Sequence, residues 1–138
     1  MKHIFTSLFI LIAAVVCAQP KLSLDTTAHD FGKFKEGAVK TFTFTVTNTG
    51  NQPLVIEKVS RPCGCTNPTF TIEPIMPGKT GKVTVAYNSE NHPGLFSKML
   101  QIKSNDPEQY HQITIMGEVI ASYIPDPPAQ DTVPARAE

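Results

Sequence analysis

From Thr41 to Thr47 the chain reads Thr-Phe-Thr-Phe-Thr-Val-Thr. Strict alternation gathers Phe42, Phe44 and Val46 on one face only if the backbone is extended. The β-branched threonines on the other face suit a half-exposed strand. The same period returns at Val83-Thr84-Val85-Ala86-Tyr87 and at Gln112-Ile113-Thr114-Ile115. Weaker versions lie at Met99–Ile102, Leu54–Val59 and Leu22–Leu24. No stretch carries a convincing helical period, and twelve prolines disfavour a helix bundle.

Turn signals separate these segments. Asn48-Thr49-Gly50-Asn51 follows the threonine strand, and Ser104-Asn105-Asp106-Pro107 leads into the last one. Asn48 and Asn105 can cap turns through their side-chain amides. In Pro77-Gly78, proline presets φ and glycine accepts positive φ. Gly32, Gly37, Gly50 and Gly94 are read as turn glycines too. Short strands at this spacing predict an all-β fold, an immunoglobulin-like antiparallel β-sandwich of about seven strands. Phe31, Phe34, Phe42, Phe44, Phe70 and Phe96 supply the large core pieces in a chain without tryptophan.

The ends read differently. Lys2 followed by the apolar run Ile4–Val16 suits a secretory signal peptide over residues 1–18, with cleavage before Gln19. The run is too short to span a membrane, which takes about 20 apolar residues. Lipidation of Cys17 is a second, disfavoured reading, because Val16 stands where a small residue is wanted. The sandwich is assigned to residues 19–121. Residues 122–138 contain Pro125-Asp126-Pro127-Pro128 and no apolar period, so a Pro-rich flexible tail is expected. Cleavage removes the odd cysteine and leaves Cys63 and Cys65.

Twelve basic and twelve acidic side chains cancel. Nucleic-acid binding is therefore not expected, since it needs a basic stripe to displace phosphate counterions. No G-x-S-x-G, H-E-x-x-H, Walker A or G-x-G-x-x-G motif is present.

The ordered set His29-Asp30-Phe31-Gly32, Gly37, Thr47-Asn48-Thr49-Gly50, Cys63-Gly64-Cys65-Thr66, Pro77-Gly78, Gly94, Ser104-Asn105 and Gly117 resembles one exported bacterial family. That family is Domain of Unknown Function 1573, and the resemblance covers about residues 22–120. It implies a sandwich akin to PapD, major-sperm-protein and Hydin domains, and an exported location in the periplasm, envelope or medium. It implies no molecular function.

Cys63-Gly64-Cys65 is the one constellation with chemistry to offer. Three readings stay open. A disulfide would close a very small ring, strained and easily reduced. Two thiolates would suit a soft ion such as Cu(I), with His29, His92 and His111 as further nitrogen donors but at no zinc-motif spacing. Two inert thiols would be less comfortable in an oxidising compartment. A redox enzyme usually lowers one thiol pKa with a helix N-terminus or a cation, and Arg61 is the one nearby cation in sequence.

The leading expectation is thus an exported, non-catalytic interaction or structural module without cofactor, docking a protein partner by edge-strand addition. The alternative is a thiol-redox or soft-metal protein built on Cys63 and Cys65.

Overall fold

The computed structural model describes residues 18–122. Residues 1–17 of the signal-peptide reading, with Cys17, and residues 123–138 of the tail lie outside them. Eight strands run in the order β1 (Leu22–Leu24), β2 (Ala28–Lys35), β3 (Val39–Asn48), β4 (Ile56–Val59), β5 (Thr66–Phe70), β6 (Thr80–Asn88), β7 (Gly94–Ser104) and β8 (Tyr110–Ile120). They form two four-stranded sheets, ordered β1-β3-β6-β5 and β2-β8-β7-β4. The architecture is an all-β sandwich. Among the described residues no helix is long and apolar enough to cross a membrane.

The threonine strand behaves as its period demands. Phe44 and Val46 of β3 are fully buried. They face Val83 and Val85 of β6, Tyr87 at its end, and Leu100, Ile102, Ile113 and Ile115 from the opposite sheet. Burying each such side chain contributes about 1.5–3 kcal/mol. On the solvent face, Thr43 and Thr84 sit opposite each other, their hydroxyls 2.8 Å apart.

Two strands escaped the periodicity. β5 contains Pro68, which an edge strand tolerates because its outer side needs no donor. β2 carries a bulge: its register against β8 shifts between Asp30 and Lys33. The Asp30 carboxylate accepts the Gly32 N–H at 2.8 Å, and Gly32 takes φ of 66°. Only glycine occupies that region at no steric cost. Gly32 is therefore part of a strand bulge and not of a turn.

All pairings are antiparallel except one. β2 lies parallel to β8, with Ala28 opposite Thr114 and Lys35 opposite Ile120. The chain reaches β8 by leaving the first sheet after Leu24. Asp25 marks the crossing, its carboxylate accepting the N–H groups of Thr26 at 2.8 Å and Thr45 at 3.0 Å.

Candidate functional site

The loop between β4 and β5 brings Cys63 and Cys65 into a disulfide, Cα atoms 5.2 Å apart. Cys65 is buried at the core, whereas Cys63 is half-buried at its rim and Gly64 is exposed. Thr66 is fully buried and closes the loop on itself. Its N–H and hydroxyl both donate to the Cys63 carbonyl, at 3.4 and 3.2 Å. The Asn88 N–H donates to the Cys65 carbonyl at 2.8 Å, tying the loop to the end of β6. Arg61 folds back across it, Nε donating to the Thr66 carbonyl at 2.8 Å and Nη2 lying 3.5 Å from the Gly64 carbonyl. As a disulfide, the pair holds no thiolate for a soft metal.

The histidines offered as further ligands go elsewhere. His29 stacks on Phe42 with centroids 3.6 Å apart. The His92 ring contacts the Glu90 carbonyl at 2.6 Å in its own turn. His111 joins Asp106 and Glu108, whose ligand atoms lie within 4.8 Å of one another. Neither cysteine belongs to that cluster.

Asp106 belongs to the turn before the last strand, and nothing in the sequence marks it as buried. It is 3% exposed. Its carboxylate accepts four hydrogen bonds: Leu22 N–H at 3.2 Å, Gln109 N–H at 2.9 Å, the Ser104 hydroxyl at 3.1 Å and His111 Nε2 at 2.7 Å. Burial alone would raise its pKa. The bonds from Leu22, His111 and Ser104 outweigh that and hold it below the usual aspartate value. Serine, aspartate and histidine here are no catalytic triad, because the serine donates to the aspartate and not to the histidine. Asp106 pins β1 to the β7–β8 turn. The only sequence signal was His111 across a short hairpin from Asp106.

The remaining predicted residues are structural. The buried Asn48 side chain accepts from Gly50 N–H at 2.9 Å and Lys21 N–H at 3.4 Å. It donates to the carbonyls of Gln52 and Ile75 at 2.7 and 2.8 Å. Gly50 stands there because a Cβ would collide with the backbone of Gln19, Pro20 and Lys21, not because of its φ. Asn105 accepts from Val55 N–H at 2.8 Å and donates to the Pro53 carbonyl at 3.2 Å. Pro77 and Gly78 turn toward β6, the Gly78 N–H donating to the Asn48 carbonyl at 2.8 Å. Phe31 is half-buried, its ring edge-on to His29 at 4.7 Å.

The sheet edges differ in what they offer. β1, β4 and β5 have three, four and five residues, while β2 has eight. On β7, two strands in from β2 on the outer face of the same sheet, Leu95 is 86% exposed and Met99 55%. Met116 is half-buried between them and opposite both Asp30 and Ser97.

The fold has clear relatives. A protein of unknown function from Porphyromonas gingivalis W83 superposes with a TM-score of 0.67 at 20% identity, covering 78% of this chain and 50% of that one. This chain thus spans half the length of that relative. The PapD-like domain 7 of human CEP192 matches at a TM-score of 0.59 and 8% identity, over 77% of this chain and 89% of that one. The VesB protease of Vibrio cholerae matches at 0.56 and 15% identity, over 72% of this chain but 31% of that one. These likenesses are of fold alone. No curated protein matches the sequence. The family model described as protein of unknown function (DUF1573) matches residues 22–119, and the chain belongs to that family.

Proposed function

We propose that this chain is an exported, non-catalytic interaction module that takes an extended segment of a partner protein along β2. The observation that carries this reading is the β2 edge. It is the longest of the four edge strands and is hydrogen-bonded to a neighbour on one side only. An unpaired edge is a template for β-augmentation. The other edges are blunted in the ways proteins use against such pairing: β1 by brevity, β4 by a register shift and the charges of Glu57 and Lys58, β5 by Pro68. Met116 lies on β8, one strand in from that edge, and Leu95 and Met99 lie on β7, two strands in. The PapD-like architecture is compatible with this use, and the apolar N-terminal run supports export.

The test is site-specific photo-cross-linking in the envelope of a producing bacterium. A photoreactive residue replaces Lys33 or Lys35 on β2, and Lys58 or Thr69 on the other edges. Discrete protein adducts are expected from positions 33 and 35 and not from 58 and 69. Adducts of equal yield at every edge, or at none, contradict docking along β2.

A further inference from the structure

We propose that the Cys63–Cys65 disulfide is a thiol–disulfide exchange site, in which an external thiolate attacks Cys63 and Cys65 is the leaving and resolving sulfur. The two sulfurs differ in access. Cys65 is 7% exposed and belongs to the core cluster, whereas Cys63 only lies against its rim. Between them Gly64 is exposed, and apart from its two chain neighbours no atom lies within 4 Å of a Cβ built there.

The loop is held in shape without the disulfide. Thr66 binds the Cys63 carbonyl, Asn88 the Cys65 carbonyl and Arg61 the Thr66 carbonyl. These bonds survive opening of the S–S bond, so the sulfurs stay neighbours and reclosure is intramolecular. Preset geometry of this kind makes the second step efficient. Arg61 meanwhile fixes a positive charge across the loop, where a cation favours a departing thiolate.

The chemistry balances as follows. The external thiolate sulfur bonds to Cys63 Sγ, the Cys63–Cys65 bond breaks, and its electron pair leaves on Cys65 Sγ, which takes a proton. A second thiol then attacks the external sulfur of the mixed disulfide and releases Cys63 as a thiol. Two electrons and two protons pass to the protein, and the external thiols leave as a disulfide. The reverse sequence oxidises the pair. The partner class is a free monothiol or a protein dithiol.

The full chain, oxidised, is mixed under native conditions with reduced glutathione as monothiol probe or dithiothreitol as dithiol probe. It is quenched with N-ethylmaleimide and mapped by mass spectrometry. Glutathione is expected on Cys63 with ethylmaleimide on Cys65, in roughly ten-fold excess over the opposite pattern. Dithiothreitol is expected to leave both cysteines alkylated and no lasting adduct. From oxidised glutathione, Cys65→Ser should gain a mixed disulfide roughly ten-fold faster than Cys63→Ser. Equal adducts on the two sulfurs, or a disulfide that neither probe opens while circular dichroism reports a folded chain, overturn the proposal. The parent mapping needs no substitution, so it stands if either variant fails to fold.

Discussion

Replacing Asp106 tests how much of the sandwich hangs on one buried carboxylate. Asp106→Ala removes the acceptor of four donors. The Gln109 N–H keeps its second bond, to the Asp106 backbone carbonyl at 3.1 Å. The Leu22 N–H, the Ser104 hydroxyl and His111 Nε2 belong to buried or nearly buried groups. An orphaned buried donor costs about 1–3 kcal/mol, and water entering the vacated space offsets part of it, so a net loss of about 3–5 kcal/mol is expected. That is a large share of the roughly 5–15 kcal/mol holding an ordinary domain. Asp106→Asn should fare little better, because its amide group would face donors with donors. The pH dependence adds a second readout. The folded carboxyl is held below its usual value. Its contribution is therefore complete above the unfolded pKa of about 3.9 and is lost as pH falls through the lower folded value. Urea unfolding at pH 6 should show the full gap between parent and Asp106→Ala, and the gap should narrow below about pH 4. A loss under about 1 kcal/mol at pH 6, or a gap that ignores acid, would refute the pinning role.

Further expectations follow from other parts of the fold. Opening the disulfide, by reductant or by Cys63→Ser/Cys65→Ser, should cost only about 1.6 kcal/mol, the chain-entropy value for a three-residue loop; denaturant titration showing twice that loss would indicate a packing role instead. Gly50→Ala should lower stability by about 1–3 kcal/mol because backbone must shift, while Gly64→Ala should stay within about 0.5 kcal/mol in the same thermal melts. Asn48→Asp keeps the two acceptor contacts but turns a carboxylate on the carbonyls of Gln52 and Ile75, and should destabilise more than Asn48→Ala in urea.

What the sequence disclosed depends on whether the period survived. β3, β6 and β8 alternate cleanly and were legible because one face is core and the other solvent. β2 was hidden by its own bulge. Phe31 and Phe34 both turn inward, yet they stand three apart because the register shift near Gly32 inserts a residue. β5 was hidden by Pro68. Periodicity also carries no information on direction, so the parallel pairing of β2 with β8 could not be read. The Cys63 and Cys65 loop was conspicuous by composition. Which sulfur is accessible was not, because that depends on the core beneath. Asp106 was invisible as a buried anchor, since its partners Leu22 and His111 meet it only through the fold.

The parallel pair has a mechanical meaning. The first long strand and the last run in the same direction, so the chain enters β2 at one end of the ladder and leaves β8 at the other. Tension between the start of β2 and the end of β8 would drag these strands past each other along their length. Every hydrogen bond between them would then bear load together, instead of opening one after another as a hairpin does when peeled. On each side of the bulge near Gly32, the bonds of this parallel ladder share such a load. A sandwich wired in this way resists stretching along the line joining its ends, whatever binds at its edge.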